Sequence, residues 1–126
     1  MKVNFILFVS DQASSTLFYS EILNKKPQLE VPGMTEFELG EGIVLGLIPE
    51  NGVKKILGDT ISNPEKNNGE SRCELYLSVE DPEVFIERSI KAGAILLSPF
   101  QKRNWGDSAG YVKDRDGHVI AFAKNT

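Results

Sequence analysis

Apolar and polar positions run along this chain in one order, twice. Residues 2–9 are rich in β-branched, aromatic and leucine side chains, which predicts a central strand. Helical spacing follows from about Ala13 to Leu23, with Leu17, Phe18, Ile22 and Leu23 on the buried face. Asp11 is placed to cap that helix and Asn24 to stop it. Pro27 to Val31 and Met34 to Leu39 then predict a hairpin around Pro32-Gly33, and Gly42 to Ile48 a closing strand.

The second row opens with a strand from Cys73 to Val79. Asp81-Pro82-Glu83 reads as a helix start: a capping side chain, a proline whose missing N–H does no harm, and a carboxylate at the positive helix end. Phe85, Ile86, Ser89 and Ile90 set the inner face, and Gly93 ends the helix at about Ala92. Ala94 to Leu97 predicts a strand and Pro99 to Trp105 a polar connection. Gly110 to Lys113 and Val119 to Ala123 form a hairpin over Asp114-Arg115-Asp116-Gly117, where glycine supplies the positive φ that such a turn needs.

Laying Gly42 on Gly117 pairs Gly46 with Ala121, and Asn4 to Asp11 reads against Glu74 to Asp81. The chain is one βαβββ unit written twice, an α+β plan. Module one spans 1–48, a linker 49–72 and module two 73–126, sharing one domain. In the linker Pro49, Gly52, Gly58, Asn63, Pro64, Asn67, Asn68 and Gly69 interrupt any periodicity, and only Val53 to Leu57 is apolar enough to dock.

Composition narrows the partners. With 126 residues and 40% hydrophobic content the chain can bury a core without staples. A net charge of −4 and a pI near 5.0 leave no footprint for nucleic acid or an anionic membrane. The apolar run from Phe5 to Val9 is too short for a membrane span. Cys73 is the single cysteine, so a disulfide within the chain is excluded and a reducing, cytoplasmic setting is expected.

The duplicated plan, with VSDQASSTLFYSEIL early, ELYLSVEDPE in the middle and WGDSAGYVKDRDGHVIAFA at the end, resembles the glyoxalase/bleomycin-resistance/dioxygenase family, the vicinal oxygen chelate superfamily. The resemblance spans essentially the whole chain. It implies two modules paired edge to edge into a curved mixed sheet, a cup that holds a ligand, and often a homodimer. It also implies four metal-ligand positions, a histidine on the first strand and a glutamate on the last strand of each module. Those positions fall here on Asn4, Gly46, Glu74 and Ala121, of which only Glu74 could bind a metal well. No metal or other cofactor is therefore expected. The single histidine, His118, follows the turn glycine and is read as a turn or face-packing residue, and Asp114 and Asp116 as turn residues whose carboxylates bond their own turn.

Alternation puts Asn4, Ile6 and Phe8 on one face of the first strand, Glu74, Tyr76 and Ser78 on the matching face of module two, and Val119, Ala121 and Ala123 on the last strand. Candidate ligand-binding residues are Asn4, Phe8, Glu74, Tyr76, Trp105 and Tyr111. Glu74 is also the candidate base, since a carboxylate in an apolar cup has its charged form disfavoured; the alternative is that it pairs with Arg72 or Arg103. The resemblance puts Trp105-Gly106 at the rim, where a flat ring suits stacking on an aromatic ligand, or serves as a plug or dimer contact. Cys73 should face away from Glu74 into the helix-packed layer.

Three readings compete. The first is a metal-free protein binding a small organic ligand, aromatic or cationic, like the antibiotic-sequestering members of the family. The second is a lyase, isomerase or dioxygenase using Glu74 as base or a rearranged metal site. The third is an interaction domain whose cup is filled by Phe8 and Tyr76.

Overall fold

The computed structural model describes residues 2–66, 68–69, 71 and 73–125, and places two four-stranded mixed sheets along them. The first copy of the unit runs β1 (Val3–Val9), α1 (Gln12–Leu23), β2 (Leu29–Val31), β3 (Met34–Gly40) and β4 (Ile43–Pro49), in the sheet order β1-β4-β3-β2. After a helix α2 (Glu50–Leu57), the second copy runs β5 (Glu74–Ser78), α3 (Pro82–Lys91), β6 (Ile95–Lys102), β7 (Asp107–Lys113) and β8 (Val119–Asn125), in the order β5-β8-β7-β6. The fold is α+β, βαβββ twice.

The register repeats as closely as the order. Asn4 lies beside Val44 and Ile6 beside Gly46 in the parallel pair β1/β4, while Glu74 lies beside Val119 and Tyr76 beside Ala121 in β5/β8. Thr35 opposes Leu47 and Gly110 opposes Phe122 in the antiparallel pairs that follow. Superposing the two turn glycines, Gly42 (φ 74°) and Gly117 (φ 93°), accounts for all of these pairs. Both turn glycines are held by chain at or before the first strand: Val3 N, opening β1, donates to Gly42 O at 2.7 Å, and the Ser71 hydroxyl, three residues ahead of β5, donates to Gly117 O.

The chain divides into two compact units, one holding residues up to Ser20 and from Asn24 to Asn68, the other Glu21–Leu23 and the residues from Gly69 onward. In the first, Asp11 caps α1 as expected, accepting from Ala13 N at 3.1 Å and from the Ser14 hydroxyl at 2.8 Å. Asn24, at φ 52°, ends it. The buried face of α1 is Ser15, Thr16, Phe18, Tyr19, Ile22 and Leu23; Leu17, expected inside, is 73% exposed, and the fully buried Tyr19 takes the place assigned to it. Gln12 joins α1 to the β2/β3 turn, donating to Val31 O (2.8 Å) and accepting from Gly33 N (2.9 Å), and Thr16 meets Thr35 hydroxyl to hydroxyl at 2.9 Å.

The linker is more ordered than its composition suggests. α2 and two short 3-10 turns, Gly58–Thr60 and Pro64–Lys66, occupy it, and α2 docks through buried Val53. In the second unit α3 starts on Pro82 with Glu83 in its first turn, but Asp81 makes no side-chain capping bond, contrary to expectation. Gly93 (φ 106°) stops the helix. Ile90 is 46% exposed rather than inward; Pro82, Ile86 and Ser89 carry the buried face. β6 continues through Pro99 to Lys102 where a polar connection was expected, because Pro99 sits on an edge strand between two register shifts, at Leu96/Ser98 and Ser98/Gln101, where a missing donor costs little. Cys73 precedes β5 and is exposed, so the strand's alternation does not carry it inward as expected.

Candidate functional site

α3 covers one face of the second sheet, its Phe85 ring lying 5.4 Å from that of Phe122. A Cβ on Gly110 would meet Ile86 Cδ1 and the Phe100 backbone, so that position admits no side chain without movement of β6. The face away from α3 has a floor of small residues, Ala109, Ala121 and Ala123, all fully buried. Around this floor stand Glu74, Tyr76 and Tyr111, joined by Trp105 and Asp107 from the β6/β7 end of the sheet.

Hydrogen bonds fix the arrangement. The Tyr76 hydroxyl donates to Asp107 Oδ2 at 2.6 Å and accepts from the Trp105 indole N–H at 3.1 Å. Asn125 donates to the other Asp107 oxygen at 3.3 Å. The indole, 55% exposed, is thus tethered at its nitrogen with its ring surface available. Tyr76 resists ionisation above its ordinary value of 10.0, first because its proton is held by the Asp107 carboxylate. Tyr111 is likewise raised, first by burial and then by the Glu74 carboxylate, against a lowering effect of Arg103. Neither phenol is a base near neutral pH. They offer rings and, at Tyr111, a hydroxyl proton.

Glu74, the candidate base, is exposed at the start of β5 and forms no ion pair among the described residues. The buried, apolar setting expected for it is not what surrounds it. Arg103 does not pair with it, because its donors go to β6 and β7. Arg72 lies outside the described residues. Glu74, Tyr76, Trp105 and Tyr111 thus come together on the second sheet, and Asp107, which sequence reasoning missed, holds the Tyr76 hydroxyl that in turn receives Trp105; the only sequence signal for it was its place after Trp105-Gly106. Asn4 and Phe8, both exposed, belong to the first sheet, on the face with Ile6 and Gly46.

The four metal positions do not form a donor set. Gly46 and Ala121 are buried residues without a donor side chain, Asn4 offers an amide and Glu74 one carboxylate. Among the described residues, the three-membered cluster able to hold an ion is Asp114, Asp116 and His118, whose donor atoms lie within 4.8 Å of one another. Its geometry is that of a turn. Asp114, 3% exposed, accepts from Asp116 N (2.9 Å) and His118 N (2.8 Å) with one oxygen, and its other oxygen lies 2.8 Å from His118 Nδ1.

Comparison with known proteins agrees with the fold. Residues 2–125 match the model of the glyoxalase-like domain. Uncharacterised proteins of Mycobacterium bovis and Mycobacterium tuberculosis are 27% identical over 121 residues, 89% of this chain and 75% and 67% of theirs. Among solved structures, a glyoxalase-related enzyme from Fulvimarina pelagi superposes with a TM-score of 0.84 at 24% identity, covering 99% of this chain and 88% of that one. A glyoxalase/bleomycin resistance protein/dioxygenase family enzyme from Burkholderia phytofirmans gives 0.82 at 12% identity, covering 98% and 97%. At such identities the structural likeness speaks to fold alone.

Proposed function

Because the chain belongs to the glyoxalase-like family over nearly its whole length, and because its second sheet gathers rings and carboxylates without a metal-ligand set, we propose that it is a metal-free binding protein for a small aromatic organic cation. The observation that carries this reading is the tethered Trp105 indole beside Tyr76 and Asp107, with Tyr111 and Glu74 on the same face. Rings receive a flat ligand by stacking and attract positive charge through their faces, and two carboxylates reinforce the preference.

Magnitudes set the scale of the expected affinity. An exposed cation–π contact contributes about 0.5–1 kcal/mol and an exposed ion pair about 0–1 kcal/mol. A handful of such contacts corresponds to dissociation constants on the order of 1 mM or weaker. Phenol acid–base chemistry is not part of the proposal, since both tyrosines hold their protons.

Trp105 is the only tryptophan, so its emission reports on the site directly. Tag-free protein should give a saturable emission change with N-methylquinolinium, a weaker one with neutral quinoline, and none with quinoline-2-carboxylate; E74Q and D107N should each weaken the first. Elemental analysis and calorimetric titration with zinc, nickel, manganese and ferrous iron accompany this. One tightly bound metal per chain, or no preference for the cation, sinks the reading.

A further inference from the structure

Arg103 stands where β6 leaves the sheet and the chain turns towards Trp105. The two register shifts in β6 leave carbonyls around Pro99 outside the regular ladder. The Arg103 side chain folds back over this gap. Its Nε and Nη2 donate to Ala109 O at 3.0 and 2.9 Å, and Nη2 also reaches Pro99 O at 2.9 Å and the Ser98 hydroxyl at 2.8 Å. Its backbone N–H donates to Asp107 O at 2.8 Å, closing the turn that carries Trp105. The guanidinium carbon lies 5.2 Å from the centre of the Tyr111 ring. Only a planar fork reaches carbonyls on two strands and still lies over a ring; a lysine ammonium is a point charge on a flexible stem.

We propose that Arg103 is the positioning residue of the second-sheet site: it fixes the Asn104–Gly106 turn, and with it Trp105 and Asp107, and sets the Tyr111 ring by lying over it. The inference rests on the binding reading above for its purpose, but its geometry is independent of any ligand. With Nε and Nη2 committed to carbonyls and its face to Tyr111, Arg103 is a strut rather than a receptor for an anionic ligand. Its charge also opposes the carboxylates that raise Tyr111, which gives the contact a spectroscopic signature.

The test compares R103K and R103Q with the parent. In the ligand-free protein, acrylamide quenching of Trp105 should rise in both variants, because both lose the fork. The Tyr111 ionisation midpoint, assigned by difference from Y111F, should move up in R103Q and hold in R103K, which keeps a positive charge near the ring. Affinity for N-methylquinolinium should fall roughly tenfold in both. Unchanged quenching in folded R103K overturns the proposal, as does unfolding of both variants, which would make Arg103 a folding residue only. If the parent fails to bind N-methylquinolinium while quenching still rises in the variants, the binding reading fails and the positioning role stands. If parent and variants bind it equally, the reverse holds.

Discussion

The faces of the two sheets that carry Asn4, Ile6 and Phe8 in one copy, and Glu74, Tyr76 and Ser78 in the other, occupy equivalent positions yet have different chemistry. In the first sheet Ile6 leans over Gly46: a Cβ there would meet Ile6 Cγ1 at 3.1 Å and Met34 Sδ at 3.7 Å. In the second, the equivalent Tyr76 extends to Asp107 and the glycine is replaced by Ala121. One copy has filled its surface with aliphatic packing; the other has spent the same positions on a hydrogen-bonded aromatic group. The helix-facing sides differ in the opposite sense. Thr35 reaches α1 through hydroxyl bonds, whereas its counterpart Gly110 has no side chain and lets Ile86 press onto the strand. A duplicated backbone thus keeps its register while each side of each sheet is re-specialised.

The largest expected effect follows from the helix-facing difference. Gly110→Ala forces Ile86 and the Phe100 backbone to move, an overpacking cost of about 1–3 kcal/mol. Urea denaturation should show it as a lower midpoint with an unchanged slope; a neutral result would mean that β6 yields freely and that the contrast with Thr35 is unimportant.

A smaller effect is expected from Tyr76→Phe, which removes one hydrogen bond to a carboxylate and one from Trp105. It should broaden Trp105 near-ultraviolet dichroism and change how stability depends on pH. Both Tyr76 and Tyr111 hold their protons more tightly folded than free, so their contribution is present below pH 10.0 and is lost as pH rises through the elevated folded values. The parent should therefore lose stability above pH 10.0, and Y76F and Y111F should each flatten that fall. An identical slope in all three proteins would remove the phenols from the account.

Smallest of all should be Gly46→Ala. Ile6 is 37% exposed and can shift by a few tenths of an ångström, so the change should stay within about 1 kcal/mol. A thermal shift much larger than that would show the first sheet's packing to be as rigid as the second's hydrogen-bonded cluster.

How far the residues announced this arrangement depended on how local the signal was. Turn glycines at 42 and 117 set the register of both copies, because positive φ at a hairpin has few other solutions. Asp11, Asn24 and Gly93 marked helix ends for the same local reason. α2 was hidden because Gly52 lies within, and Gly58 directly after, an eight-residue helix whose order comes from docking Val53. Pro99 disguised the length of β6, since the tolerance of an edge position is a property of the assembled sheet. At the site, alternation placed Glu74 and Tyr76 on one face, but the link from Tyr76 to Asp107 spans 31 residues and left no periodic trace. Arg103 was visible as a charge and not as a strut, because its partners are backbone carbonyls, which every residue carries.

Among the described residues the opening strand of each copy has its only ladder partner in the closing strand: β1 lies beside β4, and β5 beside β8. For the second copy, the Ser71-to-Gly117 bond lies across 46 residues of chain. During synthesis β5 must therefore wait, solvated and unpaired, until Val119 and the residues after it have left the ribosome. A message cut short before Val119 would leave β5 without its ladder partner beside a β6/β7 pair that also lacks β8, a product prone to pair with whatever edge it meets.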